Sequence, residues 1–391
     1  MKIAIICTLY PPHVLGGAEI SVSLLAESFV TLGNEVIVIT TGKDYRKETI
    51  KKVLVYRLKN KNIYWRYPQR EKPLFLKTLW HALDIYNPFY KSSIKKILED
   101  FKPDIVNTSN LCGLSTSVWN VVHGLKIPLV HTLRDYYLLC PQQTMTKSGH
   151  SCEKQCTICK SYSAVKKKMS QNVDALVGIS DFIAQQHMKF RYFTNAQKVV
   201  TIANSVNKVV NIQRSKTNCI GFIGRLSPEK GIEFMIECFK KSEISKSYKL
   251  LIAGNGNKKY ENLLKNKYSS KNVLFIGHEK QSAFFHNIDW LVVPSLWNEP
   301  FGRVVIEAYA SHCPVLMSTN GGLLELQTDG ISWSFDTQTP NNLIKLFNGI
   351  SNDLITVDDC VFDIETDKYN KEFIARKYLS LFSDILKNKS L

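Results

Sequence analysis

The segment PSLWNEPFGRVVIE, running from Pro294 to Glu307, decides how the rest of the chain is read. It follows an apolar run, Asp289–Pro294, that predicts a buried strand. Pro300 and Gly302 are unfavourable inside regular structure, so they shape a loop at the strand's carboxyl end. The run Val304-Val305-Ile306 then predicts a helix beginning near Gly302. Strand, loop and helix in that order form one unit of an open α/β sheet, where ligands bind at the carboxyl ends of the strands. Two carboxylates ride on the segment, Glu299 in the loop and Glu307 in the helix. Carboxylates accept hydrogen bonds from sugar hydroxyls, and the free N–H groups of a helix start attract an anion. A ligand that is part sugar and part phosphate suits both. Two glutamates at this separation are usually just solvated; the Asn-Glu-Pro-Phe-Gly loop behind a buried strand is what favours a site.

The same alternation extends outward in both directions. Upstream, strands are expected at Asn218–Ile223, Lys249–Ala253 and Val273–Ile276, and helices at Gly231–Lys240, Tyr260–Asn266 and Gln281–His286. Downstream, Pro314–Ser318 reads as another strand. The first half repeats the pattern: strands at Lys2–Cys7, Glu35–Thr40, Val53–Arg57, Ile105–Thr108, Leu129–Thr132, Ala175–Gly178 and Lys198–Ile202, with a helix over Ala18–Leu32. Such alternation predicts parallel sheets covered on both faces. Between the halves, Ser205–Asn218 turns polar and loses periodicity, as a linker does. The expected fold is therefore α/β, with two doubly wound, Rossmann-like domains, 1–205 and 206–370, facing across a cleft. The amphipathic C-terminal segment 371–391 is expected to pack back on the first domain.

Strand ends in the second half carry phosphate chemistry. Arg225 offers a planar fork of donors and Lys230 a compact point charge. Together they would neutralise a diphosphate leaving group without a metal. The following strand ends in Gly254-Asn255-Gly256, where glycines permit close backbone approach to a ligand or simply make a tight turn. In the first half, Gly16-Gly17-Ala18-Glu19 opens a helix after strand one. It lacks the full GxGxxG spacing and an acidic partner after strand two, which argues against a nicotinamide dinucleotide.

The 391 residues carry 51 Lys and Arg against 34 Asp and Glu, a formal charge of +17. Sixteen of the basic residues and six of the acidic ones fall between Lys43 and Lys102. Tyr64, Trp65, Tyr67, Phe75, Leu76, Leu79 and Trp80 are interleaved with them. That mixture suits anionic lipid head groups; solvated lysines are the competing reading. Nucleic acid is not expected, because no recognised nucleic-acid motif is present. No apolar run approaches the roughly 18 residues of a spanning helix. The expected location is cytoplasmic, peripheral on the inner face of the plasma membrane. Of ten cysteines, Cys140, Cys152, Cys156 and Cys159 lie close together. Four thiols at such spacing suit one tetrahedral structural zinc, with free thiols as the alternative.

Taken together, Gly-Gly-Ala-Glu near the start, Gly-Arg-Leu-x-x-Glu-Lys-Gly, Ala-Gly-x-Gly and Pro-Ser-x-x-x-Glu-Pro-Phe-Gly, with Glu-Ala eight residues after the first Glu, resemble the family 4 retaining glycosyltransferases of GT-B fold. The resemblance spans nearly the whole chain. It implies transfer of a sugar from a UDP- or GDP-linked donor, with retention and without a catalytic metal. It further implies that Arg225 and Lys230 bind the diphosphate, that Glu299 contacts the donor sugar, and that Phe301 and Gly302 present backbone N–H groups. Glu307 would bind the ribose hydroxyls, and Gly16 and Gly17 would border the diphosphate. Asn204 matches an asparagine that closes the first domain.

The chain departs from the family in three places. Where the family commonly has His-Asp, this chain has Arg134-Asp135 with His131 three residues earlier. Arg134 would bind an anionic sugar or an acceptor phosphate, and His131 is either a sugar contact or a satisfied strand-end histidine. His312 and Trp333 stand where glycines are usual, and both are expected in turns. The Arg-Asp-Tyr-Tyr-x-x-Cys-Pro stretch with its clustered cysteines resembles a subgroup of bacterial enzymes that build surface polysaccharides, such as lipopolysaccharide, and the cationic, aromatic patch suggests a lipid-linked glycan as the acceptor. Two rival readings share the fold: a sugar-nucleotide epimerase, which needs no acceptor, and a non-catalytic sugar-nucleotide-binding protein.

Overall fold

The computed structural model describes residues 1–67, 72–207 and 215–389. The middle of the expected linker, 208–214, lies outside them. The chain forms two compact units, one of residues 1–145, 153–205 and 371–391, the other of 146–152 and 206–370.

The first unit is built on eight strands: β1 Lys2–Cys7, β2 Glu35–Gly42, β3 Arg46–Ile50, β4 Val53–Lys59, β5 Ile105–Ser109, β6 Leu129–Leu133, β9 Ala175–Gly178 and β10 Lys198–Thr201; between β6 and β9 the chain forms the short pair β7 Thr146–Lys147 and β8 His150–Ser151. The order is β10-β9-β6-β5-β1-β2-β4-β3. Every pairing is parallel except β3 with β4. β1, β5 and β6 are buried almost throughout, as strands in a sheet covered on both faces are. β3 is different. Its residues, Arg-Lys-Glu-Thr-Ile, are largely exposed, and charge on an edge strand discourages pairing with other chains. The helix Gly17–Thr31 packs on the C-terminal helix Lys371–Lys389, with Phe29 5.7 Å from Phe382 and 6.3 Å from Tyr378 between ring centres. Ile374, Ala375, Tyr378 and Phe382 thereby join the core around β1.

The second unit holds β11 Cys219–Ile223, β12 Lys249–Ala253, β13 Val273–Gly277, β14 Trp290–Val293, β15 Val315–Ser318 and β16 Ser332–Phe335. All are parallel, in the order β13-β12-β11-β14-β15-β16. The core on one face gathers Ile220, Phe222, Leu250, Ile252, Val292 and Leu316 under the helices Ile232–Lys241 and Pro340–Ser351. Renumbered from one, the order is 3-2-1-4-5-6, the doubly wound arrangement. The chain winds outward from β11 in one direction, then returns to β14 and winds outward in the other. The crevice between β11 and β14 is therefore the switch point of this sheet. In the first sheet the corresponding place lies between β1 and β5.

One sequence expectation changes and one holds. Trp333 lies inside β16 and packs on Trp290, with ring centres 5.3 Å apart, rather than in a turn. His312 does occupy a turn. Its φ of 51° is the left-handed conformation that glycine adopts without cost, and its ring stacks on Phe362 at 5.2 Å.

Candidate active site

β11 and β14 are adjacent central strands, so the loops that leave their carboxyl ends emerge side by side. After β11 the chain runs through Arg225 to a single 3-10 turn, Pro228–Lys230, ahead of the helix Ile232–Lys241. After β14 it runs through Ser295 and Trp297 to Glu299 and the helix Arg303–Tyr309. The Leu296 N–H donates to the Glu229 carbonyl at 2.9 Å, tying the two loops together.

Across that seam Lys230 Nζ stands 2.6 Å from Glu299 Oε1. Ser295 Oγ donates to the same oxygen at 2.6 Å. The ammonium also lies 5.4 Å from the centre of the Trp297 ring. Glu299 is buried, while the Lys230 side chain keeps 23% of its surface open. This is a charge pair one side of which can be reached by a ligand.

Arg225 is placed differently. Its guanidinium is half exposed and reaches Glu229 at 2.8 Å, and Ser227 Oγ donates to the same Glu229 oxygen at 2.7 Å. Burial works against charge on Glu229, but the Ser227 hydroxyl, its own N–H and the Arg225 and Lys230 cations outweigh it and hold the carboxyl below its ordinary range. Each cation of the expected diphosphate pair thus has its own carboxylate.

Glu307 sits in the second turn of the Arg303–Tyr309 helix. Arg303 Nε donates to it at 2.7 Å and Gln281 Nε2 at 2.5 Å. Burial raises its pKa, opposed by Arg303 and Gln281. Phe301 is buried and meets Tyr369 edge-on at 6.3 Å, and Gly302 caps the helix at φ 103°.

The glycine loop after β12 has a structural explanation. A Cβ on Gly254 would fall 1.8 Å from the Gly224 carbonyl oxygen, and one on Gly256 2.0 Å from that of Leu226. Leu226 donates to the Asn255 carbonyl at 2.9 Å. The β12 loop lies directly against the β11 loop, which the glycines' missing side chains permit.

One contributor was not legible in the sequence. The pair β7 and β8, from the first half of the chain, belongs to the second unit. Ser151 Oγ accepts from the Asn298 N–H at 2.6 Å, next to Glu299, and Gly149 lies against Pro228. Two two-residue strands leave no periodic signal.

In the first unit Gly16 and Gly17 begin the helix Gly17–Thr31, and Glu19 Oε2 caps it by accepting from the Gly16 N–H at 2.9 Å. Burial raises the Glu19 pKa, against the Gly16 and Leu15 N–H groups and Arg134. Arg134, buried, donates to Ser109 Oγ at 3.3 Å and contacts Asn204 Oδ1. Asp135 accepts from the Tyr137 N–H at 2.9 Å, and burial lifts its pKa to about 6. His131 is a core residue. It pairs with Thr108 Oγ1 at 2.8 Å, stacks on Phe193 at 5.8 Å and meets Trp119 edge-on at 4.9 Å. Burial drives its pKa down to about 3. That enclosure supports the satisfied strand-end histidine over the sugar contact.

Among the described residues no group of three or more His, Cys, Asp or Glu side chains is arranged to hold a metal ion. Cys140, Cys156 and Cys159 belong to the first unit and Cys152 to the second. Cys156 is exposed at the start of the helix Thr157–Met169, and Cys159 hydrogen-bonds to both Cys156 and Cys140. Among the described residues no helix is long and apolar enough to cross a membrane.

Comparison with known proteins fits this geometry. Residues 15–209 match the family model "Glycosyltransferase Family 4" and residues 205–360 match "Glycosyl transferases group 1". A 42.6 kDa protein in the cps region of Klebsiella pneumoniae is 33% identical over 98% of this chain and 100% of its own length. Among solved structures, a sucrose-phosphate synthase from Thermosynechococcus elongatus superposes with a TM-score of 0.74 at 19% identity, covering 99% of both chains. Anabaena HepE in complex with UDP and glucose gives a TM-score of 0.69 at 16% identity over 98% of this chain and 100% of that one. At those identities the likeness shows the fold, which is GT-B. The chain belongs to the family 4 glycosyltransferases.

Proposed function

We propose that this glycosyltransferase moves a sugar from a nucleotide-sugar donor to a hydroxyl of a lipid-linked glycan, with retention of configuration and without a catalytic metal, in the assembly of a cell-surface polysaccharide. The observation that carries the reading is the Lys230–Glu299 pair at the switch point between β11 and β14, the place where doubly wound sheets bind nucleotides. The Klebsiella relative in a cps region supports the polysaccharide. UDP and glucose on HepE support a nucleotide-sugar donor.

In this account the acceptor oxygen attacks the anomeric carbon on the face from which the diphosphate leaves. One C–O bond forms as the other breaks, and the hydroxyl proton departs with the diphosphate. Negative charge grows on the leaving oxygen. Lys230, fixed by Glu299 before the donor arrives, meets that charge without reorganising. Arg225, more exposed, holds the distal phosphate by its fork of donors. Glu299 keeps a second carboxylate oxygen for a sugar hydroxyl, and Glu307 takes the ribose. Gly16, Gly17, Gly254, Asn255, Gly256, Phe301 and Gly302 keep their donor-binding assignment on the resemblance alone. Arg134 and Asp135 are assigned to the acceptor or sugar on the same ground.

Thermal unfolding in the presence of UDP-, GDP-, dTDP- and ADP-sugars tests the reading, because a ligand that binds the folded state raises its midpoint by mass action. One nucleotide class should raise it. With that donor, the anomeric configuration of the transferred sugar reports retention. No shift with any of the four, together with no transfer, contradicts the proposal.

A further inference from the structure

The helix Leu74–Ile85 is built inside out. Leu74, Phe75, Thr78, Leu79 and Ala82 form its outward face, with Leu74 80%, Phe75 64% and Leu79 53% exposed. That face carries no charge at all. Its inward face carries the ionisable groups. Asp84 is fully buried, accepting from Tyr162 OH at 2.8 Å and lying 3.7 Å from the buried Lys166 ammonium. His81 meets Tyr162 edge-on at 5.9 Å. An ordinary surface helix turns its charges to water and its apolar stripe inward. Lys166 and Tyr162 belong to the helix Thr157–Met169, which also leaves Ile158 75% and Val165 37% exposed.

Not every aromatic residue singled out in this stretch faces outward. Trp80 is buried and donates from its indole N–H to the Tyr64 carbonyl at 2.9 Å. Trp65 and Tyr67 pack on His13 at 5.0 and 4.8 Å. The large apolar side chains exposed on these two helices are thus Leu74, Phe75, Leu79, Ile158 and Val165.

We propose that this paired helix face docks on an anionic phospholipid bilayer, with Leu74, Phe75, Leu79 and Ile158 entering the head-group boundary. Charge selects this occupant over a second copy of the chain. Lys77, Lys160 and Lys168 are exposed on the same two helices, and residues 43–102 carry sixteen basic groups against six acidic ones. Two such faces repel each other, whereas an anionic surface attracts them. The apolar side chains then gain by leaving water. Asp84 and Lys166 are positioning residues, holding the two helices together from beneath. The inference does not depend on which sugar is transferred, and its test reads binding rather than transfer.

The test is co-sedimentation of the full chain with vesicles of phosphatidylglycerol and phosphatidylcholine in equal parts, against pure phosphatidylcholine. A triple variant, Leu74→Ser, Phe75→Ser and Leu79→Ser, is compared at the same concentrations. All three side chains are exposed, and an unchanged unfolding midpoint shows that the fold is intact. The wild type should bind the mixed vesicles at least about tenfold better than the neutral ones, with the difference lost at high salt. The triple variant should lose about tenfold or more of that binding. Equal binding to both vesicle types, wild-type binding by the folded triple variant, or a dimer in solution that the triple variant abolishes, each overturns the proposal. If the triple variant misfolds, Lys77→Glu with Lys160→Glu decides: undiminished binding to the anionic vesicles overturns it.

Discussion

Lys230 Nζ meets Glu299 Oε1 at 2.6 Å, joining two loops that leave neighbouring strands at the switch point of the second sheet. In the proposed account this charge pair couples the diphosphate contact to the sugar contact. If the two act as a unit, their effects on catalysis are not additive. Removing either leaves the other charge misdirected, so the double variant Lys230→Ala with Glu299→Ala should lose less than the two single losses combined, by about 1–3 kcal/mol. The measurement is kcat/KM for wild type and the three variants. Strict additivity would separate the two roles.

The Gly256→Ala variant should be destabilised by about 1–3 kcal/mol, because its new carbon would meet the Leu226 carbonyl oxygen at 2.0 Å and force the two loops apart. Chemical denaturation reads the loss directly. Weaker donor binding should accompany it, since Arg225 lies on the displaced loop.

The Asp135→Asn variant should change the pH dependence of stability. Burial raises the Asp135 pKa from 3.8 to about 6. Between those values the folded chain holds a proton that the unfolded chain has released, so stability from this group falls as pH rises through that window. Asn keeps an acceptor for the Tyr137 N–H but carries no charge. It should therefore be more stable than wild type at pH 7 by about 1–3 kcal/mol, with the difference vanishing towards pH 4. Urea titrations at several pH values check this.

Cys156 should be the first thiol to react with iodoacetamide at neutral pH. It is exposed, and hydrogen bonds from the Cys159 N–H and thiol and the Ile158 N–H lower its pKa. Cys7 and Cys112 are buried, with burial pushing both to about 12, and should react only on unfolding. Time-resolved peptide mass spectrometry gives the order. Cys360, exposed as well, serves as the internal comparison.

How much of this was readable from the amino acids follows from where each signal lies. Lys230 and Glu299 stand in loops marked by proline and glycine directly behind buried strands, and the sheet order brings those loops together. The runs 250–253 and Trp290–Val293 are apolar throughout, as largely buried parallel strands require, and they lie in β12 and β14. His131 was ambiguous because its walls, Trp119 and Phe193, come from distant segments. The edge strand Arg46–Ile50 has no apolar alternation and merged with the basic stretch around it. The helix Leu74–Ile85 gives a periodic pattern whose apolar side faces out, so periodicity alone points the wrong way. Trp333 stands where a glycine-bearing turn is usual, yet it fills a strand against Trp290.

The most direct test of the central claim is single-turnover sugar transfer by Lys230→Ala, with the donor that stabilises the wild type and with folding checked by circular dichroism. The Lys230 ammonium is assigned to the charge that develops on the departing diphosphate, so the rate of the chemical step should fall by about 3–4 kcal/mol, on the order of 10²–10³. Transfer at the wild-type rate by the folded variant would remove Lys230 from the reaction and contradict the account.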